Sequence, residues 1–216
     1  MLKTLLGATA LAALALPALA QTDAMPDVGA IRSDDHRLTL RTRTAATRPT
    51  LTLSRHDPAL GTVIHTNLGG AEDRYLDYIG WSVDSAQISA MPFTPALPAR
   101  VGKVIIALSH ITGLNAMTVG LHEDKGGLPG KRLKRLSLDD MPPFGECCVT
   151  MSAGFGGVPV EAGRVYWLVA QTTKGSDTWA AWNLNSTGAV GLTAYRDMDG
   201  WHLADGQPGA FEVRGR

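Results

Sequence analysis

The chain has 216 residues, with 20 Lys and Arg facing 20 Asp and Glu and a formal net charge of zero. That length suits one domain of ordinary size with a core large enough to stand alone. Overall neutrality argues against a generic nucleic-acid or polyanion binder, whose affinity rests on clustered positive charge.

In chain order, the first element reads as a targeting segment. Lys3 precedes an apolar Ala/Leu-rich run from Leu5 to Leu16, and Ala18-Leu19-Ala20 stands before Gln21. A short positive end, an apolar middle and a small-x-small cleavage site make residues 1–20 a secretory signal peptide. A permanent anchor needs about 20 apolar residues, so no membrane span is expected after cleavage. Gln21 rather than Cys follows the cut, which removes the lipoprotein route; the expected address is secreted or periplasmic, both oxidising. Residues 21–60 then form an Arg/Thr-rich leader. Arg32, Arg37, Arg41, Arg43, Arg48 and Arg55 outnumber Asp23, Asp27, Asp34 and Asp35 up to Arg55, and there are no aromatics. The alternation of Leu38, Leu40, Leu51 and Leu53 with Thr or Arg allows a flexible arm or an edge strand, and so few large apolar residues do not fold alone. As an arm it would touch acidic polysaccharide or another anionic surface; the plainer reading is a solvated leader.

Residues 61–216 change to short alternating runs broken by Gly, Pro, Asn and Asp, the spacing of an all-β sandwich. The predicted strands are Thr62–Thr66, Tyr78–Asp84, Gly102–Ser109, Ala116–His122, Arg132–Leu138, Cys148–Ala153, Val165–Thr172, Thr178–Asn183, Gly191–Tyr195 and Ala210–Arg214. Turns fall at Lys125–Gly130 and Asp197–Gly200, where Gly accepts the positive φ of tight reversals. Only Leu133–Leu138 has a helical alternative, and it is short. The predicted fold is an all-β, jelly-roll-like antiparallel β-sandwich with an N-terminal flexible or edge-strand segment.

The only cysteines, Cys147 and Cys148, are adjacent. Ordinary disulfides join Cα atoms about 4.4–6.8 Å apart, whereas a trans peptide fixes neighbours at about 3.8 Å, and a bond between neighbours closes almost no loop. The oxidising compartment favours a vicinal disulfide over free thiols or a link to another chain. No second Cys or close His completes a zinc site. Such a ring offers either a hard apolar floor for a ligand or a local backbone clamp.

Several strings stand in a telling order: Thr66-Asn67-Leu68-Gly69, Gly80-Trp81-Ser82-Val83, Met91-Pro92-Phe93-Thr94-Pro95, Gly126-Gly127-Leu128-Pro129-Gly130 and Pro143-Phe144-Gly145-Glu146-Cys147-Cys148. Tyr166-Trp167, Asp177-Thr178-Trp179-Ala180-Ala181-Trp182-Asn183 and Gly209-Ala210-Phe211-Glu212-Val213 complete the set. Over residues 62–214 the chain resembles the secreted bacterial β-sandwiches known as choice-of-anchor domains, most like the R type. The resemblance implies an extracellular or surface domain, usually followed by a sorting tail, and no catalytic residues. No apolar tail follows Val213, a departure that argues against cell-wall or outer-membrane anchoring.

Three chemistries are open to these residues. Trp179 and Trp182, three apart, point to opposite faces of one strand, so one belongs to the core and the other to an outer face. Tyr195 and Trp201 bracket a turn, and aromatic faces stack on the C–H groups of sugar rings. The leading site is therefore carbohydrate-binding, with Trp179 or Trp182, Tyr195 and Trp201 as platforms and Asp177 and Asn183 as polar partners. Asp197 and Asp199 are the candidate ligands of a structural Ca²⁺, set against the favoured reading of solvated turn acids. The six histidines, His36, His56, His65, His110, His122 and His202, are scattered, and no hydrolase elbow or nucleotide loop is present. The expectation leans to a non-catalytic binding or adhesion module for extracellular polysaccharide. The alternative is a structural surface protein acting through protein contacts, and a glycan-active hydrolase ranks below both.

Overall fold

The computed structural model describes residues 30–32, 36–40 and 61–216; the signal-peptide reading of residues 1–20 falls outside them. Among these residues there is no helix, and every ladder between strands is antiparallel. With strands numbered in chain order, a five-stranded sheet runs β1 (Ala30–Arg32), β2 (Arg37–Leu40), β4 (Tyr75–Val83), β12 (Trp179–Asn185), β7 (Leu108–Thr112). A four-stranded sheet runs β10 (Met151–Val160), β6 (Ala99–Ile106), β15 (Phe211–Gly215), β3 (Val63–Thr66). A six-stranded sheet runs β14 (Trp201–Gly206), β13 (Gly191–Arg196), β5 (Ile88–Phe93), β11 (Tyr166–Gln171), β8 (Ala116–Asp124), β9 (Pro129–Asp139).

The first two sheets join where β6 runs into β7 through Ala107. Its N–H donates to Ala210 O at 3.0 Å, and its carbonyl accepts the Asn183 N–H at 2.9 Å. Together they pack on the six-stranded sheet as a sandwich that does not close into a barrel. One apolar cluster draws on all three sheets, including Trp81 and Trp182, Phe155 and Phe211, and Met91, Leu121 and Leu168.

Period-2 alternation assigns the faces. On β11, Tyr166, Leu168 and Ala170 enter this core, while Trp167 and Val169 join a second cluster with Ala90 and Ala194 on the opposite, outer face of the six-stranded sheet. On β12, Ala180, Trp182 and Leu184 are core residues, and Trp179 and Ala181 join Leu38 and Ile111 on the other side.

The junction of the two joined sheets is pinned by side-chain amides. Asn67 donates from Nδ2 to Gly209 O at 2.9 Å and accepts the Phe211 N–H on Oδ1 at 2.7 Å. Asn183, fully buried, accepts from Ser109 Oγ at 2.7 Å and donates to Leu76 O at 3.1 Å. Trp182 Nε1 donates to Ala210 O at 3.1 Å. Its ring lies so close to Gly209 that a Cβ there would stand 2.4 Å from the indole, so only glycine fits. The strings Thr66–Gly69, Asp177–Asn183 and Gly209–Val213 thus meet at one structural joint.

The described part of the N-terminal segment, residues 30–32 and 36–40, adds two strands at the edge of the five-stranded sheet. Arg37, Leu38 and Thr39 of β2 pair with Trp81, Gly80 and Ile79 of β4, and Leu38 is completely buried. Three expectations are corrected. The predicted strand over Cys148–Ala153 begins only at Met151, because the cysteines belong to the preceding loop. The predicted strand over Gly102–Ser109 is divided at Ala107 by the sheet junction. Strands β5 and β14 were not predicted at all.

Candidate functional site

The structure scatters the six residues proposed as one sugar site. Trp182 and Asn183 are completely buried, the first in the core and the second in the sheet joint, so neither offers a surface to a ligand. Half-buried Trp179 lies on the outer face of the five-stranded sheet, its Nε1 donating to Ser82 Oγ at 3.2 Å. Asp177 caps the neighbouring loop by accepting the Leu114 N–H at 3.0 Å. Tyr195 and Trp201 are cross-strand neighbours of His202 and Arg196 respectively, and the pleat sends the two pairs to opposite faces. Tyr195 turns inward and stacks on His202 at 5.0 Å, with the His36 ring 4.1 Å away and tilted by 30°. Trp201 turns outward to the cluster around Trp167, with the Arg196 guanidinium 5.7 Å from its ring centre. Of the predicted platforms, only Trp201 lies on the outer face of the six-stranded sheet.

Asp197 and Asp199, the candidate Ca²⁺ ligands, are tied together in one turn. Asp197 Oδ1 accepts the Asp199 N–H at 2.9 Å and faces His202 Nε2 at 3.0 Å, a closed turn. Partial burial opposes ionisation of Asp197, but these bonds outweigh it and its pKa falls below the ordinary carboxylate value. No group of three or more His, Cys, Asp or Glu side chains converges among the described residues. A small cleft of about 160 Å³ beside this turn is lined by His36, Gln87, Asp197 and Asp199, with Ala86 and Met198.

Cys147 and Cys148 form the vicinal disulfide, across a cis peptide bond with Cα atoms 3.1 Å apart. Cys148 packs with Tyr75, Ala107 and Ala210 at the sheet junction. The Tyr75 hydroxyl lies 2.8 Å from Glu146 O and 3.0 Å from Val149 O, donating into the loop on both sides of the pair. Burial, reinforced by the charge of Asp77, raises the Tyr75 pKa, so the phenol stays a donor. The disulfide lines neither recess described here; in this fold it belongs to a clamped loop.

The outer face of the six-stranded sheet carries the richest assembly of side chains. Its floor is small: Ala194, Ala90, Val169 and Gly120 lie in one register row across β13, β5, β11 and β8, continuing to Arg135 on β9. His122 folds over Gly120, where a Cβ would stand 2.7 Å from Nε2. The Gly130 carbonyl, 3.0 Å from Nδ1, can only accept, so the neutral ring carries its proton on Nδ1 and keeps Nε2 as an acceptor. Burial lowers the His122 pKa, and the charges of Arg132 and Arg196 lower it further against the opposing effect of the Gly130 bond. Arg196 borders this small-residue floor on β13, beside Trp201 of β14.

At the other end, pairing between β13 and β5 stops at Ala194↔Ala90. Beyond it opens a pocket of about 540 Å³ between Leu192, Pro92, Phe93 and Thr94, with Val165, Trp167, Asp124 and Gly127 along the wall and His65 of β3. That volume lies within the range of small-ligand sites, roughly 300–1,000 Å³. Trp167 Nε1 donates to Asp124 Oδ1 at 2.8 Å, and Asp124 Oδ2 accepts the Gly127 N–H at 3.0 Å, which fixes the wall. His65 stacks on Phe211 at 4.9 Å, and burial lowers its pKa, so at neutral pH it presents an uncharged imidazole that can donate and accept.

Four of the described histidines hydrogen-bond to Gln87 Oε1 (His36), Gly113 O (His110), Gly130 O (His122) and Asp197 (His202), and none of these four partners is a hydroxyl or thiol. This face and its edge carry a half-exposed indole, guanidinium groups, imidazoles and a recess. His65, His122, Asp124, Trp167, Arg132, Arg135 and Arg196 were not among the predicted site residues. A signal for part of the set was present, since Thr118, Gly120 and His122 alternate with the core residues Met117, Val119 and Leu121. No family model, curated protein or solved structure matches this chain.

Proposed function

We propose that this chain is a non-catalytic, secreted or periplasmic binding module that holds carbohydrate on the outer face of its six-stranded sheet. The observation that carries the proposal is the composition of that face: half-buried Trp201 backed by Arg196, a floor of small residues, and the 540 Å³ pocket with its neutral His65 and bonded Asp124. Sugars need an apolar platform for C–H groups beside donors and acceptors for hydroxyls, and this face supplies both together with the pocket at its edge, to which His65 of the four-stranded sheet contributes. The vicinal disulfide and the leader-like residues 1–20 support an oxidising address. The resemblance to choice-of-anchor domains rests on the residue strings alone and supports the same address.

Affinity electrophoresis against a panel of polysaccharides tests the proposal. Trp201→Ala is expected to weaken binding by about tenfold or more, while Trp179→Ala, on the five-stranded sheet, leaves it unchanged. Retardation by no polysaccharide would turn the reading to the alternative, a structural surface protein acting through protein contacts. Exposed Val190, Leu192, Met198 and Leu203 along the β13–β14 hairpin are the apolar side chains available for that role.

A further inference from the structure

We propose that the carbohydrate taken by this face is an anionic polysaccharide, a chain of carboxylate-bearing sugars running across the sheet from Trp201 towards β9. This deepens the carbohydrate reading and rests on it. Zero net charge describes the chain as a whole, but the fold gathers its charges unevenly. Arg196 from β13 and Arg135 and Arg132 from β9 come to one face, and all three are exposed. Among the described residues no ion pair involves any of them. His122 stands on β8, between the strands that carry these arginines, and is the cross-strand partner of Arg132.

The carboxylates nearby are engaged or peripheral. Asp124 is bonded to Trp167 and the Gly127 N–H, Glu123 faces Arg164, and Asp205 and Asp139 lie at the outer ends of the edge strands β14 and β9. The centre of the face is therefore cationic over an apolar floor. Guanidinium groups match carboxylates with two parallel hydrogen bonds, and Nε2 of His122 accepts from a hydroxyl between them. A neutral glycan would offer the three guanidinium groups hydroxyl acceptors but no opposite charge, and duplex DNA would not use a platform of one indole set in a small-residue floor.

Isothermal titration of the purified protein with polygalacturonate, methyl-esterified polygalacturonate, dextran sulfate, dextran and duplex DNA tests the proposal, at low and at physiological salt. Polygalacturonate is expected to bind, esterification of its carboxylates to weaken binding about tenfold or more, and added salt to weaken it further. The combined Arg132→Gln, Arg135→Gln and Arg196→Gln variant, which keeps most of each stem, is expected to lose binding by a similar factor; Arg100→Gln, exposed on the four-stranded sheet, is not. Dextran sulfate binding with the same arginine dependence supports the anionic class. Equal binding of esterified and free polymer, or a silent triple variant, overturns the anionic assignment while a Trp201→Ala loss keeps the carbohydrate reading. DNA binding at least as tightly through the same arginines also overturns the assignment. Binding to none of the polymers overturns both readings.

Discussion

Replacing Asn67 with Ala removes one side chain and strands two main-chain groups. The Asn67 amide satisfies the carbonyl of Gly209 and the N–H of Phe211 at a joint where the residue is only 8% exposed. A buried polar group deprived of its partner costs about 1–3 kcal/mol, so two together cost about 2–6 kcal/mol before relaxation. Water reaching the rim of the joint brings the expectation to the lower half, about 2–4 kcal/mol. For a domain of this size each kcal/mol lowers Tm by about 2–4 °C, so circular dichroism should show a fall of roughly 4–16 °C. Asn67→Asp keeps an acceptor for Phe211 but loses the donor to Gly209 and sets a carboxylate against a carbonyl, so it should not rescue. A loss below about 0.5 kcal/mol in urea titration would refute the joint as a water-excluding lock.

Gly209→Ala should be comparably damaging, by about 1–3 kcal/mol or more, because its methyl would stand 2.4 Å from the buried indole of Trp182; thermal melts check it. Tyr75→Phe removes the donor to Glu146 O and Val149 O and should cost about 1–3 kcal/mol, whereas reducing the disulfide, which bridges adjacent residues and closes almost no loop, should move the urea midpoint far less. Burial holds the pKa of His65 and His122 below the ordinary 6.5. Below that value the unfolded chain binds protons that the native state refuses, so stability should be level above neutrality and fall as pH drops from about 6.5 through the native pKa values. Tm measured across that range, with and without His65→Phe and His122→Gln, checks the sign.

Alternation made most of the fold legible. Val104 and Ile106, or Met117, Val119 and Leu121, announce strands with one face in a core. Strand β5 escaped because Ile88-Ser89-Ala90-Met91-Pro92-Phe93 is mostly buried on both faces, so it shows no polar alternation and carries a proline. Strand β14 escaped because an edge strand such as Trp201-His202-Leu203-Ala204-Asp205-Gly206 reads like a polar loop. The functional surface was less legible for a different reason. Spacing within β12 correctly separates Trp179 from Trp182, but only pairing between distant strands brings Arg132, Arg196 and Trp167 to one face. Tyr195 and Trp201, close in sequence, were grouped although the pleat divides them. The vicinal disulfide was readable from adjacency, and its neighbours Tyr75 and Ala210 only from the fold.

The most direct test of ligand placement is a heteronuclear NMR titration of the indole N–H resonances with an oligogalacturonate. Trp81, Trp167, Trp179, Trp182 and Trp201 report from the core, the pocket wall and both outer faces, so the shifted signals locate the ligand. Ligand on the six-stranded sheet predicts that the Trp201 indole moves most, together with backbone signals of residues 192–196, while Trp179 stays still. Shifts centred on Trp179 and the loop around Leu114 and Asp177, with Trp201 unmoved, would contradict it.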